Sequence, residues 1–212
     1  MSVDLYSPLV VPHLPPVNFD RPPLRLGIMA SGSGSNFAAI IESIERQELN
    51  AQIAVLIHNK PDIKAIDRAA QHQIPSVLHN HQDFASRTEL DQAIVQTLQK
   101  YQVDCVVMAG WMRVITQILI DAFHDRLLNI HPSLLPSFPG IKAIEQALTA
   151  QVKITGCTVH LVSLEVDSGP ILLQAAVPVL ASDDADSLHA RIQIQEHKIL
   201  PAAIQLLANG DI

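Results

Sequence analysis

Asn129 and His131 bring an amide donor and an imidazole into one short segment, Asn129-Ile-His-Pro-Ser-Leu-Leu-Pro136. On a strand, alternate side chains share a face, so these two can converge on one reacting atom. An amide N–H stabilises a developing oxyanion and an imidazole moves protons, which is the minimal set for acyl transfer. A histidine capping a loop before Pro132 is the plainer explanation. It loses weight because an asparagine, a histidine and two prolines interrupt an otherwise apolar strand end. Asp167, in Leu164-Glu-Val-Asp-Ser-Gly-Pro170, is by itself ordinary turn chemistry. A carboxylate placed beside His131 would favour the imidazolium.

A glycine loop, Ser31-Gly-Ser-Gly-Ser35, is followed by helical periodicity from Asn36. Two readings stay level: an anion site built from backbone N–H groups at a helix start, or a tight turn with Ser35 or Asn36 as N-cap. A dinucleotide site fits less well, because Phe37 occupies the third-glycine position and the strand ending Ile57-His58-Asn59 carries no ribose-binding acid. The loop also lacks a P-loop lysine, so a single phosphate monoester suits it best. His79 and His81 lie in a polar loop without carboxylates or cysteines at ligand spacing, and no metal site is expected. Arg87 and Arg113, at loop–helix junctions, are solvated charges by default, and Gln193 and Glu196 are ordinary surface positions on a final helix.

The elements that must position these residues follow from periodicity. Strands are expected over Leu24–Ala30, Ala51–Ile57, Pro75–Leu78, Val103–Met108 and Arg126–Ile130. Helices are expected over Asn36–Glu48, Asp62–His72, Ser86–Lys100, Ile141–Ala150 and Asp186–Ala208. Strands that are apolar without alternation, interleaved with helices, predict a doubly wound α/β domain with a mostly parallel sheet. Lys153–Leu164 and Ile171–Val179, joined by the short Asp167 turn, must be antiparallel. Asn129 and His131 then emerge at the carboxyl edge of the sheet, where open α/β folds bind ligands.

A length of 212 residues with 48% hydrophobic and 17% charged residues describes one globular domain, assigned here to 24–212. Residues 1–23 hold six of the 14 prolines and no period, and are expected to be a flexible tail. A net charge of −7 disfavours nucleic acid and anionic membranes as partners. No apolar run reaches the roughly 18 residues of a membrane span. Cys105 and Cys157 sit inside apolar runs, which fits two core thiols in a reducing cytoplasm.

Taken in order, Gly32-Ser-Gly-Ser-Asn36, Ala109-Gly-Trp-Met-Arg113, Asn129-Ile-His-Pro-Ser-Leu-Leu-Pro136 and Asp167-Ser-Gly-Pro170 resemble the folate-dependent formyltransferases. The glycine loop and short length select the phosphoribosylglycinamide formyltransferase family among them, and the resemblance runs from Leu24 over nearly the whole chain. It implies a Rossmann-like formyltransferase fold and formyl transfer from 10-formyltetrahydrofolate to a glycinamide amine in purine synthesis. By this resemblance, Asn129, His131 and Asp167 match the catalytic trio, and Gly34, Ser35 and Asn36 match the loop for the substrate phosphate. Gly110, Ile130, Pro132, Gln193 and Glu196 match residues holding ribose and glycinamide. Arg87, Met112, Arg113, Val114 and Ile115, together with Asn129, match the formylfolate contacts.

Departures from the family pattern are Ile141-Lys-Ala-Ile144, where relatives often carry histidines, Leu161 for an aromatic and Leu164 for an acid. The resemblance further implies small-molecule substrates, no metal or redox cofactor, a cytoplasmic location and a monomer or homodimer. A formyltetrahydrofolate hydrolase is expected to need a further N-terminal domain, and a methionyl-tRNA formyltransferase a C-terminal domain and basic surface. A non-catalytic phosphate-ligand domain would explain the glycine loop and leave the trio without purpose.

Overall fold

The computed structural model describes residues 16–211 and the backbone of Val10 and Val11. Five strands run parallel: β2 (Leu24–Ala30), β3 (Ala51–His58), β4 (Ser76–Leu78), β5 (Cys105–Met108) and β6 (Leu127–His131). Two long strands, β7 (Ile154–Leu161) and β8 (Ile171–Pro178), continue the sheet antiparallel, and β1 (Val10–Val11) pairs with β8 at the edge. The resulting order is β1-β8-β7-β6-β5-β2-β3-β4. Strand order reverses around β2 and β5, which places the ligand-binding crevice at their carboxyl ends.

Burial on both faces explains why the parallel strands read as unbroken apolar runs. In β2, Leu26, Ile28 and Ala30 enter one core layer while Met29 enters the other. In β5, Cys105 and Val107 divide from Val106 and Met108 in the same way. Helices α1 (Ser35–Glu45) and α6 (Ala185–Asn209) cover the first layer, and Phe37, Ile40, Ile192 and Leu200 fill it. The second layer lies under α3 (Arg87–Lys100) and α4 (Gln117–Ala122), with Ile94, Leu98, Leu119 and Phe123. Local chemistry sets the boundaries. Ser86 caps α3 by accepting from the Glu89 N–H, and Asp184 and Ser187 form a reciprocal capping box on α6. Gly210, at φ 75°, ends α6 in the left-handed conformation that glycine adopts without strain.

Helices α2 (Lys64–Gln71) and α5 (Ala143–Thr149) are shorter than expected, and α4 was not foreseen because six residues are too few to display a period. The strand expected over 153–164 stops at Leu161, since the chain must leave the sheet to carry Asp167 over the end of β6. Most of the expected flexible tail lies outside the described residues. Where it is described, it is attached. Val10 and Val11 pair with Ala175 and Gln174, Asn18 N–H donates to Asn209 Oδ1, and Asn50 Nδ2 donates to the carbonyls of Asn18 and Arg21. A two-residue pairing on an open sheet edge needs no periodicity, so composition could not reveal it.

Candidate active site

Pairing of β6 with β7 sets Asn129 opposite His160 and His131 opposite Thr158. Directly opposed residues share a face, so this register delivers an imidazole the sequence reading passed over. The β7–β8 connection then folds back with Asp167 at φ 53°, a left-handed conformation uncommon outside glycine and tolerated by aspartate. Its carboxylate is 9% exposed and lies at the centre of the cluster. Asp167 Oδ2 is 3.3 Å from His131 Nδ1 and accepts the Gly140 N–H at 2.7 Å. Asp167 Oδ1 is 3.4 Å from Asn129 Nδ2 and 3.6 Å from His160 Nε2.

The second nitrogen of each imidazole also has a partner. His131 Nε2 lies 2.8 Å from the Phe138 carbonyl and His160 Nδ1 lies 2.8 Å from the Leu161 carbonyl. Both nitrogens of His131 therefore face oxygen acceptors. Thr158 steadies the turn after β6, donating to the Ser133 carbonyl and accepting from the Leu135 N–H. Burial alone would raise the Asp167 pKa. The nearby His160 ring, the Gly140 N–H hydrogen bond and the electrostatic influence of the two imidazoles outweigh it and hold the carboxyl below its ordinary range.

Beside this cluster opens a cavity of about 370 Å³. Gly110, Met112, Arg113, Val114, Ile115, Asn129, Ile130, His131, Pro132 and Asp167 line it, as do His160 and Gly140–Ala143. Its rim is apolar, with Met112, Val114, Ile141, Leu164 and Val166 all at least half exposed. Deeper in its wall, Trp111 Nε1 and Arg113 Nε are buried donors without a partner among the described residues. Arg87 does not line the cavity. It opens α3 and acts, like Arg113, on the buried Asp91, whose carboxylate accepts the Thr116 N–H at 2.5 Å and so pins the 112–116 wall. Burial raises the Asp91 pKa, against the Thr116 hydrogen bonds and the two arginines.

The remaining expected residues form a second cluster. Gln193 Nε2 donates to Ser35 Oγ, and Asn36 Nδ2 donates to Glu196 Oε2, so α6 is tied to the start of α1. Burial raises the Glu196 pKa, opposed by the Asn36 hydrogen bond and by the charge of His189 and His131. The Glu196 interaction with His131 links this cluster to the first. Ser31 joins the glycine loop to the cavity wall: its N–H donates to the Gly110 carbonyl and its Oγ accepts the Met112 N–H. Among the described residues no group of three or more histidine, cysteine, aspartate or glutamate side chains is placed to hold a metal, and no helix is long and apolar enough to cross a membrane.

A parallel sheet with an antiparallel extension carries an amide, two imidazoles and a carboxylate gathered at the end of the β6–β7 pair, on the wall of the cavity. This chain belongs to the formyl transferase family, which it matches over residues 24–204. Its relatives include the phosphoribosylglycinamide formyltransferase of Bacillus subtilis (strain 168), 39% identical over 86% of this chain and 94% of that one. The trifunctional purine biosynthetic protein adenosine-3 of Homo sapiens is 43% identical over 92% of this chain, which spans 19% of that protein's length. Among solved structures, glycinamide ribonucleotide transformylase 1 from Symbiobacterium toebii superposes with a TM-score of 0.87, at 44% identity and 89% coverage of both chains.

Proposed function

We propose that this protein transfers the formyl group of 10-formyltetrahydrofolate to the amine of 5-phosphoribosylglycinamide, giving formylglycinamide ribonucleotide in de novo purine (IMP) biosynthesis. The observation carrying this reading is the convergence of Asn129, His131 and Asp167 on the wall of a cavity that adjoins the glycine loop. The cavity fits the folate. Its rim is apolar, as the flat heterocycle and ring system of a folate require. Met112, Arg113, Val114 and Ile115 would form that wall, with Arg87 supporting it through Asp91. Gly34, Ser35 and Asn36 would take the substrate phosphate, and Gly110, Ile130, Pro132, Gln193 and Glu196 the ribose and glycinamide.

In the reaction the amine adds to the formyl carbon and the carbonyl oxygen becomes an oxyanion; collapse of this tetrahedral intermediate restores the carbonyl and expels the folate nitrogen, which gains a proton while the attacking nitrogen loses one. Asn129 Nδ2 and His131 Nε2 are the donors for that oxygen. Each holds a protein partner in the resting site, so each must exchange it, His131 giving up the Phe138 carbonyl and Asn129 its contacts to His160 and Asp167. Asp167 keeps its negative charge and holds His131 in its doubly protonated form, from which a proton can pass to the leaving nitrogen.

Incubation with both substrates, followed by the appearance of folate product, tests the reading. Product that forms only when glycinamide ribonucleotide is present supports transfer. Equal production without it identifies a hydrolase, and no product in either case leaves a binding domain.

A further inference from the structure

The glycine loop is oriented by the helix beside it. Ala65 N–H, near the start of α2, donates to the Gly32 carbonyl at 3.4 Å, and Arg68 Nε, one turn further along, donates to the Ser33 carbonyl at 3.0 Å. In a trans peptide the carbonyl and the next N–H point in opposite directions. Two successive carbonyls turned toward α2 therefore turn the N–H groups of Ser33 and Gly34 away from it. The N–H groups of Ser35 and Asn36 follow at the start of α1, and among the described residues none of these four has an acceptor. Contact is close enough to fix the arrangement. A Cβ at Gly34 would come within 2.8 Å of Ala65 Cβ, and the φ of +68° at Gly34 bends the chain from the loop into α1.

Resting on the reading that this loop holds the ribonucleotide phosphate, we infer that Arg68 is its positioning residue, setting the loop's amide donors for a phosphate monoester by pinning the Ser33 carbonyl. Only Nε of the guanidinium is engaged by the protein, and Arg68 forms no ion pair among the described residues. The single hydrogen bond is the part of the contact that a glutamine, whose amide nitrogen stands as far along the side chain as Arg68 Nε, can reproduce without charge and a methionine cannot reproduce.

Two measurements on the whole protein, with Arg68→Met and Arg68→Gln, test this. Amide shifts of residues 33–36 during titration with inorganic phosphate give a dissociation constant that needs no catalysis. The expected result is about tenfold weaker binding in Arg68→Met, which has no donor, and a value within about threefold of wild type in Arg68→Gln, which keeps the donor without the charge. In steady state, KM for glycinamide ribonucleotide rises by a similar factor in Arg68→Met, with the KM for formylfolate unchanged. The dephosphorylated nucleoside shows no such rise. Unchanged phosphate binding in a folded Arg68→Met, equal losses in Arg68→Met and Arg68→Gln, or equal losses with the nucleoside or with folate, would overturn the assignment. Wild-type protein that binds phosphate at these amides but does not formylate the ribonucleotide overturns the functional reading and leaves the role of Arg68 standing.

Discussion

Asp167 Oδ2 stands between His131 Nδ1 at 3.3 Å and the Gly140 amide at 2.7 Å, so one oxygen ties the end of β6 to the loop that follows it. Asp167→Asn keeps the shape and removes the charge that faces His131. Turnover should fall by about 10²–10⁴, with a much smaller change in the KM for formylfolate. Steady-state kinetics on the folded variant decides this, and near wild-type turnover would reduce Asp167 to a turn residue.

Asn129→Ala and His131→Ala each remove one of the two donors proposed for the oxyanion. Such a loss typically costs about 10²–10³ in rate. Both variants should fold, because the β6 backbone ladder is unaffected and the apolar Leu127, Leu128 and Ile130 remain. Either variant retaining activity within a few-fold of wild type, with an unchanged melting temperature, would remove that residue from the chemistry.

His160 touches the trio through two contacts, Asn129 Nδ2 at 3.1 Å and Asp167 Oδ1 at 3.6 Å, and its side chain is 2% exposed. It acts by holding its neighbours. His160→Gln should lower kcat roughly tenfold, the effect of misplacing a donor through one lost hydrogen bond. The KM for either substrate should change less, and adding Asp167→Asn should cost less in this variant than in wild type. Additive effects in that double-mutant cycle would show that the two residues work independently.

Arg191 grips Asp183 with two short hydrogen bonds of 2.6 and 2.8 Å and, with lesser help from the Leu180 N–H and against a small burial penalty, brings its pKa down to about 2. A carboxyl lowered on folding contributes stability above its unfolded pKa of about 3.9 and loses it as pH falls through the folded value. The melting temperature of wild type should therefore exceed that of Asp183→Asn by a constant amount above about pH 4, and the gap should close as pH falls toward 2. A gap independent of pH would assign the difference to packing.

Removal of residues 1–23 breaks the pairing of β1 with β8 and the hydrogen bonds from residues 16–21 to Asn50 and Asn209. At about 1 kcal/mol for a net hydrogen bond, and about 2–4 °C per kcal/mol in a domain of this size, the shortened protein should melt several degrees lower. Turnover at 25 °C should persist, since none of the described residues among them lines the cavity. An unchanged melting temperature would return the segment to the flexible tail that its prolines suggested.

The parts of the molecule legible in the sequence are those whose signal is local. The parallel strands announced themselves because burial on both faces leaves unbroken apolar runs, and the two-residue spacing of Asn129 and His131 became geometry as soon as that segment was a strand. Asp167 was ambiguous, since Asp-x-Gly serves equally as a turn, and only its order among the other motifs singled it out. His160 was illegible for a physical reason. It meets Asn129 through a strand register spanning 31 residues, and nothing in Thr158-Val-His160 specifies that register. Arg68 was hidden in the same way, one cation on an ordinary amphipathic helix until the fold set it against Ser33.

The antiparallel seam between β6 and β7 divides more than the sheet. Up to the exposed connection at 150–153, the chain carries Asn129, His131 and the glycine loop; beyond it come His160, Asp167, Gln193 and Glu196. The parallel half can satisfy all its own strand pairings before the second half exists, yet it owns no carboxylate for His131. On the proposed function, catalytic competence would thus be withheld until the part of the chain beyond residue 153 has docked, and formyl transfer would report that docking.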